Sequence, residues 1–390
     1  MLKDALTWFF VTFSEEFRQG KKQAFELILF LSLMHFFGVY NPKQLADFLG
    51  IPHQRLYSEL KTWSLYLLKK LLFRFMVRQA SEELKPLLGK SDATRSRAAI
   101  SLSVDNSVID RLGRLLRYTW SWYSGRAKKV LNGQDLLGIV LTVNRFVFPL
   151  HLLFVSKQGC SNTDKPSLLI EMLKQLIEAF REEGIDIRLF PITLDSWYAS
   201  DDLKQKLYEL GFKKIIVAGK SNYVLTIEDK KQNASSWKKT LKLSKEQWGI
   251  DVPSCRMKAE SPTFGKIIVF FYQKGTTRNY YLMDLSKRAL RGAEIWHIWK
   301  QHYLIEWFWK VLKSTFKIKE MRLQKEGVYT GLVIKVLAYL FAMRLKGKGE
   351  FSNSSITQVM RKIQREMDLE TVLLEHFHLP YLITQAELTN

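Results

Sequence analysis

The spacing of apolar residues changes twice along the chain, from helical to extended and back to helical. Up to residue 95 the apolar positions follow helical spacing. Extended apolar runs follow at 99–104, 137–143 and 146–155, and a short turn joins the last two. Helix, strand, helix and strand are then predicted over 165–183, 185–194, 199–210 and 213–218. The order βββαβαβ predicts an α/β domain with a mixed sheet.

This pattern breaks after residue 220. The next 70 or so residues hold short extended runs between long polar connections, which predicts a β-rich insertion with strands at 223–227, 267–272 and 280–283. Helical spacing returns from about residue 294. The predicted organisation is therefore a helical N-terminal domain (1–95), the first part of the core (96–220), the insertion (221–292), the last part of the core (293–348) and a C-terminal helical region (349–390).

The amino-acid composition indicates the kind of binding partner and the cellular compartment to expect. The 390 residues carry 60 Lys and Arg against 38 Asp and Glu, which gives a formal net charge of +22. Such an excess favours a polyanion as partner, although a solvated basic surface would have the same composition. The two cysteines are too few for a disulfide framework, so we expect a reducing, cytoplasmic compartment.

Neither a signal peptide nor a membrane span is expected. Acidic residues at Asp4, Glu15 and Glu16 interrupt the N-terminal segment, where a signal peptide needs a basic start and an apolar run. Residues 328–345 are apolar enough to suggest a span, but Lys335 lies within them. This segment is predicted to be a buried helix, and no membrane partner is expected.

The stretch LADFLGIPHQRLYSEL, residues 45–60, predicts two short helices joined by a tight turn. Gly50 can adopt a turn conformation that other residues take only with strain. This is the helix-turn-helix pattern, in which the second helix enters the DNA major groove. Gln54, Arg55 and Lys61 are the candidate DNA contacts, because Gln and Arg can pair with base edges through two hydrogen bonds. An ordinary helical hairpin would use the same turn.

Two aspartates stand at the ends of predicted strands. Asp105 ends AAISLSVD, and Asp195 ends DIRLFPITLD. A carboxylate at the C-terminal edge of a sheet points into the crevice where open α/β sheets bind ligands. Two such carboxylates on adjacent strands could hold Mg²⁺, which proteins bind through one or two carboxylates together with substrate phosphates. Either aspartate alone would also be explained as a strand-terminal cap.

A third carboxylate lies on the helix predicted from residue 294 onward. Glu306 shares one helix face with the residues at −7, −4, +4 and +7, which are Trp299, His302, Lys310 and Lys313. A single carboxylate surrounded by basic and aromatic side chains is suited to bind a metal ion next to a DNA phosphate. The alternative is a surface ion pair between Glu306 and Lys310. Glu294 is the rival third carboxylate, but its place near the helix start favours a first-turn acid.

With these residues, the sequence resembles DDE-class insertion-sequence transposases, specifically the insertion-sequence-four family. The resemblance covers nearly the whole chain: a helical N-terminus, a first Asp in SVDNSVIDRLG, a second in TLDSWYAS, and a β-rich insertion before the helix with the Glu. The family signature Y-x2-R-x3-E-x6-K is matched at Glu306 and Lys313. Trp299 and His302 stand at its Tyr and Arg positions.

The resemblance implies an RNase H-like fold, with three antiparallel strands and then two parallel ones, flanked by helices. It assigns catalysis and metal binding to Asp105, Asp195 and Glu306, with Mg²⁺ as the ion and Mn²⁺ as its substitute. It implies cleavage of double-stranded DNA at transposon ends, attack of the freed 3′-OH on target DNA, and a homodimer in the synaptic complex. Such a protein would be nucleoid-associated in a bacterial cytoplasm. Further DNA contacts are predicted at Arg114, Trp299, His302, Lys310 and Lys313.

Members of the family often form a DNA hairpin at the excised end, with a flipped base received by an aromatic residue of the insertion. The candidates for base stacking are Trp237 and Trp248, in the Lys-rich stretch SSWKKTLKLSKEQWG. Aromatic rings among cations suit stacking on unpaired bases, although packing of a small domain would also explain both. Two other functions stay open: a catalytically decayed protein that only holds DNA, and a structure-specific nuclease on the same fold.

Overall fold

The computed structural model of the chain describes residues 22–60, 65–89, 99–111, 116–124, 127–156, 164–244, 249–275, 278–321, 323–325, 327–346, 351 and 353–366. Contacts between Cα atoms divide the chain into two compact units. The first unit comprises Met1–Gln79, Ser107–Leu136 and Phe308–Asn390, and the second comprises Ala80–Asn106 and Leu137–Trp307. All three candidate catalytic carboxylates belong to the second unit.

Helices and strands alternate as the apolar spacing indicates. The helices are α1 (Lys22–Met34), α2 (Pro42–Leu49), α3 (His53–Leu60), α4 (Leu65–Leu88), α5 (Lys165–Glu182), α6 (Asp201–Glu209), α7 (Ala234–Thr240), α8 (Gly292–Ser314), α9 (Gly327–Lys346) and α10 (Ile356–Glu366). The strands are β1 (Ile100–Asp110), β2 (Thr119–Ser124), β3 (Lys129–Val143), β4 (Phe146–Val155), β5 (Ile192–Leu194), β6 (Ile215–Ala218), β7 (Val224–Ile227), β8 (Lys230–Asn233), β9 (Ser254–Ser261), β10 (Gly265–Lys274) and β11 (Arg278–Asp284).

The core of the second unit is a mixed sheet in the order β4-β3-β1-β5-β6. β1 and β3 are antiparallel: the hydroxyls of Ser101 and Thr142 lie 3.0 Å apart, and Asn144 donates its backbone N–H to the carbonyl of Ala99. β5 and β6 continue the sheet in parallel with β1. Three antiparallel strands followed by two parallel ones confirm the predicted RNase H-like core.

The parallel strands of this core require crossover helices, and α5 and α6 supply them. One face of α5 is fully apolar and buried, including Leu169, Met172 and Leu176. α6 begins where the Ser200 side chain accepts a hydrogen bond from the backbone N–H of Leu203 at 3.2 Å. The predicted helices at 165–183 and 199–210 are therefore present.

The strand predicted over 185–194 is wrong for its first part. Ile187–Leu189 form a 3-10 turn, because the Asp186 side chain accepts the backbone N–H of Arg188 at 3.0 Å. Pro191 has no backbone N–H and so cannot donate a hydrogen bond to a neighbouring strand. Its carbonyl accepts the backbone N–H of Leu102 at 2.8 Å. The strand is thereby shortened to Ile192–Leu194.

The strands after β6 extend the same sheet. β11 pairs antiparallel with β6, and β10 lies between β11 and β9 in an antiparallel meander. The three strands predicted here are present as β7, β10 and β11. β8, β9 and α7 escaped prediction. The sequences of β8 and α7, KKQN and ASSWKKT, carry no apolar periodicity.

The core of the first unit is built around α9. The most apolar part of this helix is long and apolar enough to cross a membrane, but 94% of it is buried inside the structure. The burial of Lys335 is complete, and its ammonium donates to the backbone carbonyl of Tyr40 at 2.7 Å. The prediction of a buried helix around Lys335 is confirmed.

Candidate active site

Asp105 and Asp195 are neighbours in the sheet. β1 and β5 are parallel with Val104 opposite Leu194, so the residue that follows each is at the same level. Adjacent strands lie about 4.8 Å apart, which places the two aspartate backbones side by side. Each carboxylate accepts the backbone N–H of the next residue, Asn106 at 2.7 Å and Ser196 at 2.6 Å. Asp105 is half-buried and Asp195 is exposed.

Two hydroxyl residues mark which face of the sheet these aspartates use. Ser103 and Thr193 stand two residues before Asp105 and Asp195, and side chains two apart in a strand share a face. The hydroxyls of Ser103 and Thr193 lie 2.9 Å apart. Thr193 Oγ1 also lies 2.9 Å from Nδ1 of His302 in α8. α8 is therefore seated on the face of the sheet to which both aspartates belong.

Glu306 follows His302 by one helical turn, so its side chain leaves the same face of α8. It is exposed, whereas His302 is buried. The helix predicted from residue 294 onward is present as Gly292–Ser314, and a separate 3-10 turn over Ile318–Glu320 follows it. Near the start of the helix, Glu294 accepts the backbone N–H of Arg291 at 3.1 Å. Glu306, and not Glu294, is thus the acid that the seated helix directs to the side of the two aspartates.

The aspartate pair fits a divalent cation that is completed by substrate. Carboxylate oxygens are the ligands that Mg²⁺ prefers, and one or two carboxylates plus phosphate oxygens are enough. Across the described segments, no three Asp, Glu, His or Cys side chains converge closely enough to hold a metal ion by themselves. The donor chemistry therefore suits a metal shared with DNA phosphate better than a closed protein site.

Trp299 and His302 do not lie on a surface open to DNA, contrary to the prediction. Each is only 4% exposed, and their rings stack with centroids 4.4 Å apart. The indole of Trp299 donates to the hydroxyl of Tyr272 at 3.2 Å. Burial lowers the pKa of His302 to about 3, so the ring is neutral at physiological pH. Both residues seat α8 on the sheet, which is a packing role.

The two lysines of the predicted face differ in their surroundings. Lys310 is exposed, one turn beyond Glu306. Lys313, in the first unit, is half-buried, and its ammonium donates to the hydroxyl of Ser107 at 2.7 Å and the carbonyl of Val108 at 2.8 Å. It lines a pocket of about 350 Å³ together with Val108, Ile109, Asp110, Ser124, Ala127, Leu131 and Lys319. Lys310 is the better placed of the two for a phosphate.

The two short helices predicted near residue 50 are present as α2 and α3 in the first unit. The Asn41 side chain caps α2 by accepting the backbone N–H of Gln44 at 3.0 Å, and Gly50 ends it with a φ of 65°. On α3, Gln54 is exposed and Arg55 is half-buried. Both side chains stand on the surface of the second helix, where the predicted DNA contact requires them.

The remaining predicted residues divide into buried and undescribed positions. Trp237 is 7% exposed, and its indole donates to the backbone carbonyl of Leu225 at 3.0 Å. In this conformation its ring offers no face to a base. Lys61, Arg114 and Trp248 lie outside the described residues.

Thr193 and Ser103 are the site residues that sequence reasoning missed. Both are buried hydroxyl residues that stand two positions before an acid. That spacing was a usable signal, because a buried hydroxyl needs a hydrogen-bond partner from the element packed against it.

The chain is similar to a family of known proteins over part of its length. Residues 151–341, about half of the chain, match the family model of the transposase DDE domain. No curated protein matches the chain in sequence. Among solved structures, the piggyBac transposase synaptic complex with hairpin DNA, determined by cryo-EM, is similar over 99% of this chain and 82% of that chain, with 13% identity and a TM-score of 0.48.

The match over residues 151–341 confirms the predicted resemblance to DDE-class transposases. Asp195 and Glu306 lie within the matched stretch, and Asp105 precedes it.

Proposed function

We propose that the chain is a DNA transposase that binds the ends of a mobile element, cuts them, and joins the freed 3′ ends to target DNA. The observation that carries this proposal is the matched level of Asp105 and Asp195 on parallel strands, with the helix of Glu306 seated on the same face of the sheet. The transposase DDE domain supports it.

The carboxylates have distinct tasks in the proposed reaction. Asp105 and Asp195 would hold a divalent cation, Mg²⁺ or Mn²⁺, and Glu306 would complete its carboxylate ligands once DNA is bound. The bound cation supplies activation of the attacking oxygen and stabilisation of the leaving 3′-oxygen. Exposed Lys310 provides a positive charge one turn from Glu306, where it can hold the scissile phosphate in place.

The DNA partner is proposed to contact both units. α3 would present Gln54 and Arg55 to the major groove of the element ends, while the second unit acts on the cut site. Bringing two ends together requires two active sites, so a homodimer is proposed for the synaptic complex. The proposed location is the bacterial nucleoid, where both substrates are found.

A cleavage and joining assay tests the proposal. Labelled duplexes from the DNA that flanks the gene would be incubated with the protein and Mg²⁺ or Mn²⁺, and the products separated on denaturing gels. We expect metal-dependent release of 3′-OH ends and their joining to a plasmid. A hairpin intermediate would migrate as a single strand of double length. Asp195→Asn should abolish cleavage and leave DNA affinity within about twofold.

The matched control is Asp202→Asn, because Asp202 is an exposed aspartate of the same unit, paired with Lys206 in α6. It should retain full activity. Binding of the ends without cleavage in either metal would instead indicate the decayed DNA-binding protein. Cutting of branched duplexes without any joining would indicate the structure-specific nuclease.

A further inference from the structure

The hairpin of β2 and β3 runs past the end of β1. β1 ends at Asp110, where Gly133 of β3 lies against the backbone of Ile109 and Asp110. Because β3 is antiparallel to β1, the residues of β3 that precede Gly133 continue beyond this end, with β2 as their partner strand. We call this two-stranded part, 121–124 paired with 129–132, the ribbon. Four residues at about 3.4 Å each give it a length of roughly 14 Å.

Aromatic rings fix the back of the ribbon. Trp122 is 9% exposed and meets the ring of Trp120 edge to face, with their centroids 6.1 Å apart. Trp120 in turn meets Tyr118, whose ring centroid lies 5.6 Å from that of Tyr329 in α9. These four rings connect the ribbon to the buried helix of its own unit, so the two strands are held in one position.

The front of the ribbon faces solvent. Ser121 and Tyr123 of β2 alternate with the two tryptophans, and they stand opposite Asn132 and Val130 of β3. Tyr123 is 66% exposed and Val130 is 62% exposed. The hydroxyl of Ser121 donates to Oδ1 of Asn132 at 2.7 Å, which orients the amide. The front therefore presents one oriented amide beside an apolar pair.

The charge of the hairpin selects the kind of partner. Residues 117–134 include four basic side chains and no Asp or Glu, and Lys128 and Lys129 are exposed where the turn leads into β3. A second copy of the chain would bring the same positive charges against them, which opposes association. A polyanion complements these charges.

The dimensions and side chains of the ribbon fit duplex DNA. The major groove is about 12 Å wide and admits a two-stranded β-ribbon. An Asn side chain pairs with N6 and N7 of adenine through two hydrogen bonds, and an apolar side chain contacts the methyl group of thymine. Asn132 and Val130 are two residues apart in one strand, about 7 Å, and base pairs are about 3.4 Å apart, so the two side chains reach bases one or two steps apart.

We propose that the ribbon enters the major groove of duplex DNA, with Asn132 on an adenine, Val130 on a thymine methyl group, and Lys128 and Lys129 on phosphates. It is a second reading element of the first unit, besides α3. That this duplex is the end of a mobile element rests on the proposed transposase function, but the contact in the groove is measured without cleavage.

The test begins with selection from duplexes of random sequence, using the full chain without divalent metal. Single adenines of the selected duplex are then replaced by 7-deazaadenine, and single thymines by uracil. These changes remove N7 or the methyl group from the major groove and leave the minor groove as it was. The unaltered chain should lose affinity about tenfold at one adenine. It should lose about fourfold at one nearby thymine, the value of one buried methyl group.

Each variant of the ribbon should lose its response to one of these changes. Asn132→Ala should bind the 7-deazaadenine duplex as tightly as the unmodified one, and Val130→Ala should do the same for the uracil duplex. Lys128→Gln should keep both responses and reduce the slope of log affinity against log salt by about 0.9, the value for one phosphate contact. Gln364→Ala is the matched control, because Gln364 is an exposed amide on α10 of the same unit, and it should behave as the unaltered chain.

Equal responses of the ribbon variants and the unaltered chain to the modified bases, or selection of no sequence at all, would overturn the groove contact. Loss of self-association in Val130→Ala with an unchanged DNA preference would also overturn it, and would assign the front of the ribbon to a second copy. A chain that shows the contact but cuts no DNA would overturn the proposed transposase and leave the contact standing. Cutting and joining of DNA, with ribbon variants that respond as the unaltered chain does, would overturn the contact alone.

Discussion

At the scale of single residues, His302 connects the sheet to the helix that carries Glu306. Its ring is buried, lies 2.9 Å from the Thr193 hydroxyl and stacks on Trp299. A charged guanidinium could not occupy this position without a large desolvation cost, so a neutral ring suits the place where the family signature has Arg. At this departure from the signature, His302 packs the helix that carries Glu306 against the sheet and does not contact solvent as a predicted DNA contact would.

The burial of His302 predicts a pH-dependent stability. The pKa is about 3 in the folded chain and about 6.5 when unfolded, so only the unfolded chain binds a proton between these values. Stability should fall as the pH drops below 6.5, by about 2 kcal/mol at pH 5. His302→Gln should remove this part of the pH dependence in urea unfolding at pH 7.5, 6.5 and 5. The exposed His53→Gln should follow the unaltered chain, and identical profiles for all three proteins would contradict the prediction.

The two aspartates, Asp105 and Asp195, predict that the protein binds a divalent cation more tightly when DNA is present. Two adjacent aspartates leave most of the coordination shell of a divalent cation to other oxygens. Isothermal titration with Mn²⁺ should show weak binding to the protein alone and a gain of more than about tenfold when end DNA is present. Asp105→Asn should remove the gain. Tight binding in the absence of DNA would show that the protein closes the site by itself.

At the scale of elements, β1 and β3 approach each other closely in the first unit. A Cβ added at Gly133 would overlap the backbone carbonyl of Ile109, which is not a flexible group. The pairing of β2 with this part of β3, with Trp120 opposite Gly133, depends on the same close approach.

Gly133→Ala should therefore destabilise the chain by about 1–3 kcal/mol, the usual cost of overpacking. Gly89→Ala is the control, because its added Cβ would make only an ordinary contact, 3.8 Å from the Lys85 carbonyl. Urea unfolding of both variants measures the difference. Equal free energies of unfolding for the two variants would contradict this prediction, because they would show that β1 and β3 can move apart at no energetic cost.

α9 carries a buried lysine. Burial lowers the pKa of Lys335 well below its ordinary value, and its side chain donates a hydrogen bond to the backbone carbonyl of Tyr40 at 2.7 Å. Lys335→Met keeps the volume of the side chain and removes the desolvation of an amine, so we expect the free energy of unfolding at pH 7 to rise by about 1–4 kcal/mol. A decrease in thermal and urea stability would show that the bond to Tyr40 outweighs that desolvation.

The elements that the sequence predicted well are those with a single dominant period. The βββαβαβ order, the Glu306 helix and the buried α9 all follow from apolar spacing. β5 was overextended because apolar and charged residues alternate over 185–189, which is typical of a strand, while the shortening comes from one Asp side chain and one Pro. The alignment of Asp105 with Asp195 at the ends of adjacent strands could be expected from the predicted order of strands and helices. The burial of Trp299 and His302 could not be expected from the sequence, because the spacing of residues on a helix does not show which of its faces packs against a sheet.

At the scale of the whole molecule, the net charge of +22 predicts that the proposed affinity for DNA depends on salt. If about six to ten phosphates are contacted, affinity for end DNA should fall roughly 10³–10⁵-fold between 50 and 200 mM salt. Filter binding across this range measures the slope. A slope close to zero would exclude phosphate contacts as the main source of affinity.

The parallel pairing of β1 with β5 also governs when the protein can act. Asp105 and Glu306 are 201 positions apart in the chain, and β5 joins β1 only after the crossover helix between them has been made. At about 5–20 residues per second of synthesis, roughly 10–40 s pass between the emergence of the first and the last carboxylate from the ribosome. In the proposed reaction, a nascent chain therefore lacks one of its three candidate carboxylates until residue 306 has left the ribosome, and we expect no DNA cleavage before that point.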